Sequence, residues 1–355
     1  MWYKISKFED YLNNRKLFVN FPIVLALMIS KGTSHMASME FGHLSSLKED
    51  GRVAVAPGVE LSYVDRGAGQ AIVLIPGWTF SKNVFEKQIG PLSKKYRVIT
   101  YDPRSQGASS QSPEGNDYLS HAEDLVKLLD TLEVKQPVLV GWAAGCHTSL
   151  GYVKLKGAQA VAAHVSIDKP PRSLSFEKDI WVEASLEEVS AVHTLYLRDV
   201  RGHAQYLRHY IETVLIQRNL EFHELSWMIA QALKTPPLVA AQLFASCMFS
   251  DDLASAIAVS RARPTLYIIA QHWAEKAQRY LRTILPEAKS VVFGGRMMFW
   301  EYPEAFNRVL DEFIQHNVRN AGVTNEEISD DRFGNHSFHD AGVQSLERRV
   351  TNRFI

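Results

Sequence analysis

The chain has 355 residues, 39 basic and 39 acidic, for a formal net charge of +0, with 46% hydrophobic and 22% charged residues. That composition is ordinary for a globular protein with a sizeable core, and its charge balance gives no basic footprint for nucleic acid. The two cysteines are too few for a disulfide framework, and the thirteen histidines show no zinc-type spacing.

The N-terminus carries an apolar run, Leu17 to Ile29, behind Lys4, Lys7, Arg15 and Lys16. It is short of the roughly 20 residues a spanning helix needs. It could form the core of a signal peptide, with Met36-Ala37-Ser38 near a cleavage site. Glu9, Asp10, Asn20 and Pro22 oppose that reading, and Ser34 to Ser38 resembles the remnant of an expression tag. The expectation is a cytoplasmic chain without membrane association, with secretion as the alternative if Leu17 to Ile29 is a signal core.

Val53 to Val64 alternates around Pro57-Gly58, which predicts paired strands and a turn. Ala71 to Ile75 and Arg97 to Tyr101 are short apolar runs of buried-strand type, separated by a predicted helix over Phe85 to Tyr96. In His121 to Leu132 the apolar residues Ala122, Leu125, Leu128, Leu129 and Leu132 recur at helical spacing. The stretch Pro137 to Leu150 (PVLVGWAAGCHTSL) passes from an apolar strand through a tight glycine-flanked turn into a helix. This is the layout of a nucleophile elbow, G-x-S-x-G, with Ala143 where the nucleophile belongs. A further strand follows at Val161 to Ile167. Strand–helix alternation then gives way to helical patterning from Ser173 to about Arg263. It resumes with a strand at Pro264 to Ala270, a helix at Glu275 to Ile284, a strand at Ser290 to Phe293 and a helix at Pro303 to Gln315.

Alternating strands and helices predict a doubly wound α/β fold with a mostly parallel sheet, and a helical cap inserted between two of its strands. The expected division is a leader or tag-like extension at 1–50, core at 51–172, cap at 173–263, core at 264–317 and a poorly ordered tail at 318–355.

Four stretches together resemble the α/β-hydrolase superfamily of the esterase, lactonase and cofactor-free haloperoxidase type. They are Leu74 to Trp78 at a strand end, Tyr101 to Ser109 (YDPRSQGAS), Gly141 to Gly145, and Gly294-Gly295-Arg296 before Tyr302-Pro303-Glu304. The match covers about Val53 to His316. Ser105 departs from the glycine usual in the second stretch.

In that family a serine attacks an acyl carbonyl, a histidine takes its proton and a carboxylate orients the histidine. The resemblance puts Ala143 at the nucleophile position and Arg296 at the histidine position. A methyl group cannot attack, and an arginine stays protonated and cannot act as a base. The acid position falls on Asp168, with Glu275 as the alternative. Cys146 and Ser149 follow the turn in the helix, and His147 and His272 are the nearest spare histidines. The oxyanion donors need only backbone N–H groups, which Trp78 and Ala144 supply. Trp142, Trp273, Met297 and Phe299 suit a pocket for a small apolar or aromatic acyl-type ligand. No cofactor is implied. The readings are a catalytically dead serine esterase or lactonase, a ligand-binding pseudoenzyme, or cofactor-free oxygenase-type chemistry, which Arg296 opposes.

Overall fold

A computed structural model describes residues 47–175 and 180–318. The apolar run at Leu17 to Ile29 and the tail after residue 318 lie outside the described residues. Eight strands form one sheet: β1 (Gly51–Ala56), β2 (Val59–Arg66), β3 (Ala71–Ile75), β4 (Arg97–Tyr101), β5 (Val138–Trp142), β6 (Ala163–Ile167), β7 (Thr265–Ile269) and β8 (Lys289–Val292). Their spatial order is β1-β2-β4-β3-β5-β6-β7-β8. β2 runs antiparallel to β1 and β4, and the other pairs are parallel. Strands β3, β5, β6 and β7 are buried at every residue. Helices cover both faces of such strands, so their sequences read as unbroken apolar runs.

Several helices form where the sequence gives them an apolar face, while the one that leaves the elbow is buried on all sides over its first nine residues. Helix α1 (Glu86–Ser93) follows a tight turn at Lys82–Phe85 and stops short of the expected Tyr96. There Lys95 and Tyr96 both donate to the Leu92 carbonyl, which turns the chain into β4. Helix α2 (Tyr118–Thr131) starts at Asp117, whose carboxylate accepts from the N–H groups of Leu119 and Ser120. It buries Ala122, Leu125, Leu128 and Leu129 against the sheet. Helix α3 (Gly145–Lys156) leaves the elbow.

Between β6 and β7 the chain forms α4 (Leu186–Ala191), α5 (Val200–Tyr210), α6 (Phe222–Ala232), α7 (Pro237–Phe249) and α8 (Leu253–Ala262). Their interior holds Leu207, Ile211, Leu215, Met228 and Leu243. Hydrogen bonds tie this insertion to the segment after β3: Trp78 Nε1 donates to the Ala240 carbonyl at 2.8 Å, Ser81 Oγ and Asn83 Nδ2 donate to Gln231 Oε1 at 3.1 and 3.0 Å, and Thr235 Oγ1 donates to the Thr79 carbonyl at 3.3 Å. The chain closes with α9 (Ala274–Ile284), the short α10 (Met298–Glu301) and α11 (Pro303–Asn317). No helix among the described residues is long and apolar enough to cross a membrane.

Candidate active site

The C-terminal ends of β3, β5 and β6 and the loop after β8 converge, which is where open α/β sheets place their ligands. At the end of β5 the backbone of Ala143 has φ 48, a left-handed conformation that costs an L-residue roughly 1–2 kcal/mol. The turn holds it there. Ala143 N–H donates to the Ile167 carbonyl at 2.9 Å, and Cys146 N–H to the Ala143 carbonyl at 3.0 Å. A Cβ on Gly145 would sit 2.5 Å from the Ile75 carbonyl oxygen, and one on Gly141 2.7 Å from Cys146 Cα. Only glycine allows the strand and helix to approach this closely. The elbow geometry is therefore present with a methyl group at its apex.

Cys146 lies below the turn, its Sγ 3.0 Å from the Gly141 carbonyl and 3.3 Å from Ser166 Oγ. Burial pushes its thiol up to about 12. Ser149 Oγ meets His164 Nε2 at 2.8 Å. Neither side chain replaces a nucleophile at the apex.

Asp168 follows β6 with φ 51. Its Oδ1 accepts from the Ala270 N–H at 2.8 Å. Its Oδ2 lies 2.8 Å from Arg296 Nε, an ionic contact whose angle is not that of a hydrogen bond. Arg296 Nη2 also donates to the Asp168 carbonyl at 3.1 Å. The rest of the guanidinium is taken by Glu183, with Nη1 to Oε2 at 3.0 Å and Nη2 to Oε1 at 2.8 Å. Lys169 Nζ reaches the same Glu183 Oε1 at 3.5 Å. Two carboxylates and two cations are thus interlocked, with side chains no more than 9% exposed.

Burial pushes the Asp168 carboxyl up to about 6, against the opposing pull of Arg296 and the Ala270 N–H. Burial also opposes ionisation of Glu183, but Arg296 and Lys169 outweigh it and hold the carboxyl down at about 2. Arg296 remains a cation well above its ordinary value: burial opposes the charge, and Glu183, Tyr210 and Asp168 outweigh it.

Glu275 is elsewhere. Its side chain is 93% exposed and its ion-pair partner is Arg279 at 3.9 Å, on the face of α9 opposite the buried Ala277 and Leu281. His272 is exposed too, with its ring 4.7 Å from Trp273. Trp142 and Phe299, expected to line a pocket, are packed as core instead. Their ring centroids are 5.1 Å apart, and Phe80, Phe85 and Phe306 complete the cluster. Trp142 Nε1 donates to the Arg296 carbonyl at 2.8 Å, so this ring braces the Arg296 loop from beneath. Met297 is fully buried, its N–H on the Leu215 carbonyl at 3.0 Å, which anchors the loop to the insertion. Trp273 is partly buried and packs against the core cluster.

Beside the elbow, a Cβ on Gly77 would meet the Trp142 carbonyl oxygen at 3.1 Å and Ala143 Cβ at 3.4 Å. The N–H groups of Trp78 and Ala144 have no backbone acceptor among the described residues. The Trp78 ring packs against His203, Tyr206 and Phe244 of the insertion at 5.6–5.9 Å. An open cavity of about 680 Å³ lies within the insertion, lined among others by His193, Arg198, Leu238 and Gln242. It shares no lining residue with the elbow, Asp168 or Arg296.

Glu183 escaped the sequence reading. It sits in an irregular stretch with no motif around it, and only the fold brings it to Arg296.

Sheet order, elbow and strand-end carboxylate define a class of protein. A family model described as the alpha/beta hydrolase fold matches residues 70–295, and the chain belongs to this family. A candidate non-heme chloroperoxidase of Synechocystis sp. is 40% identical over 114 residues, 32% of this chain and 41% of that protein. A non-heme haloperoxidase of Rhodococcus erythropolis is 33% identical over 120 residues, 34% of this chain and 44% of that one. The chain thus aligns with less than half the length of these curated relatives. Among solved structures, the bromoperoxidase of Bacillus anthracis superposes with a TM-score of 0.67 at 22% identity, covering 75% of this chain and 99% of that one. An esterase of Exiguobacterium antarcticum gives 0.66 at 21% identity, over 74% and 98%. These structural likenesses are to the fold.

Proposed function

We propose that the chain is an esterase- or lactonase-type α/β hydrolase whose nucleophile and histidine positions are Ala143 and Arg296. On this reading it turns over no ester as it stands and acts as a binder of small apolar or aromatic acyl-type ligands. One observation carries it: a methyl group stands at the left-handed apex of the elbow, and the side chain seated on Asp168 is a guanidinium. Arg296 also shares its charge with Glu183, so its place is fixed by two carboxylates rather than by a reacting group. The N–H groups of Trp78 and Ala144, without a backbone acceptor among the described residues, support retention of carbonyl or carboxylate binding. A His–Asp pair for cofactor-free oxygenase-type chemistry has no histidine here, and Asp168 serves an arginine instead.

The test is the double variant Ala143→Ser plus Arg296→His, assayed on activated short- and medium-chain esters and lactones. Nucleophile and base act as a unit, so each single variant should stay near background. The double should exceed either by about 100-fold, the low end of what a positioned base contributes. A triple variant adding Glu183→Gln guards against unfolding from an unpaired Glu183 carboxylate. No gain in the folded double or triple variant overturns the reading.

A further inference from the structure

Outside the elbow the described residues hold a second nucleophile–base–acid arrangement. Cys247 lies in α7, His147 in α3 and Asp252 immediately before α8. His147 Nδ1 is 2.6 Å from Asp252 Oδ2. The Nε2 of the same ring is 3.4 Å from Ser173 Oγ, and imidazole and Cys247 thiol each favour the other's charged form. From another direction Lys169 Nζ donates to Cys247 Sγ at 3.3 Å and to Ser173 Oγ at 2.8 Å. Ser173 Oγ in turn donates to the Cys247 carbonyl at 2.8 Å. A carboxylate orients an imidazole, a thiol stands within reach of its charge, and an ammonium lies beside the sulfur. This is the general pattern of an activated nucleophile.

We infer that Cys247 is a nucleophilic thiol that reacts with small uncharged peroxides, with His147–Asp252 as its proton-transfer pair and Lys169 as its counter-ion. Burial opposes the charged form of the thiol, but Lys169 and His147 outweigh it and hold the group below the ordinary thiol value. Burial and Lys169 oppose the imidazolium, while Cys247 and Asp252 raise His147 above its ordinary value. Glu183 is the carboxylate that acts against the thiolate. The nearby phenols of Tyr118, Tyr206 and Tyr210 are all raised by burial and stay neutral. Size and charge of the reagent follow from access. Cys247 is 4% exposed, and the wettest member of the group is Asp252, with a side chain 14% exposed. Burial of that depth favours a small neutral peroxide over a bulky or charged electrophile.

In the reaction the thiolate sulfur attacks one peroxide oxygen. The S–O bond forms and the O–O bond breaks. The departing hydroxide takes the proton of the His147 imidazolium and leaves as water, and the protonated oxygen on sulfur completes a sulfenic acid. Sulfur gives up an electron pair and the peroxide is reduced.

Cys146 is the reference inside the same molecule, since its thiol is raised where that of Cys247 is lowered. The full chain is treated with hydrogen peroxide at neutral pH, quenched, unfolded and alkylated, and each cysteine's loss is followed by peptide mass spectrometry. Cys247 should be lost at least about tenfold faster than Cys146, as the more thiolate-like sulfur. Asp252→Asn should slow Cys247 and move its pH profile upward. Equal loss at both cysteines, or a rate indifferent to Asp252→Asn, overturns the inference. Thiolate ultraviolet absorbance against pH, compared with Cys247→Ser, needs no reagent access. A step below the ordinary thiol range is expected, and its absence overturns the inference as well. None of these outcomes depends on the esterase revertant.

Discussion

Two buried carboxylates stand at strand ends of this sheet, and they are built differently. Asp102, after β4, is closed on itself. Its oxygens accept from Lys82 N–H at 2.7 Å, Lys82 Nζ at 2.7 Å and Ala108 N–H at 2.7 Å. A Cβ on Gly107 would strike the carboxyl carbon at 2.3 Å. One anion meets one cation and two backbone donors, joining the turn before α1 to the loop after β4. Asp168 holds one backbone donor and an ionic contact, and its cation is shared with a second carboxylate that the insertion brings in. The first carboxylate ties two neighbouring loops together. The second joins the sheet to the insertion at the place where a hydrolase keeps its base. Burial of charge is therefore common to both places, and what differs is whether the cation is shared.

Breaking each pair should separate them. Asp102→Ala strands the Lys82 ammonium, 3% exposed, and two N–H groups, so a loss of about 3–5 kcal/mol is expected in urea denaturation. Arg296→Met should cost less, about 1–3 kcal/mol, because Asp168, already up at about 6, takes a proton once the guanidinium is gone, and Lys169 still faces Glu183. Its cost should shrink further below pH 6. Equal losses at both sites, insensitive to pH, would erase the distinction.

The Glu183 contact makes a narrower claim about acid. Its folded value of about 2 is depressed from 4.5. The stability it contributes is therefore present above pH 4.5 and lost as pH falls from there through about 2. Linkage puts it at about 3 kcal/mol at most. Glu183→Gln should flatten the melting temperature against pH over that window relative to the unaltered chain. Parallel curves would show that Glu183 is not held by Arg296 and Lys169 in solution.

The fold was legible because its signals are local. Val138 to Val140 followed by Gly141 and Gly145 can only be a strand running into a close helix, and the apolar spacing from Ala122 to Leu129 can only bury one helix face. The position of Arg296 was legible through Gly294-Gly295 and its place after β8. Its partner Glu183 was not, nor was the Cys247–His147–Asp252 grouping, since each draws residues from elements that no periodicity relates. The aromatic residues misled for a physical reason. Trp142 and Phe299 sit at loop ends in sequence, yet each large ring removes more area from water by packing on the other than by lining a void.

The smallest effect tests the elbow itself. At φ 48 Ala143 carries about 1–2 kcal/mol of left-handed strain that glycine would not. Glycine also loses more backbone freedom on folding, a penalty of about 0.5–1 kcal/mol. The two nearly cancel with the strain slightly ahead, so Ala143→Gly should be neutral to stabilising by up to about 1 kcal/mol in the denaturation midpoint. The same change at Ala277, a buried alanine within α9, lacks the strain and adds a lost methyl contact, so it should destabilise. If Ala143→Gly destabilises as much as Ala277→Gly, the apex is not left-handed in solution.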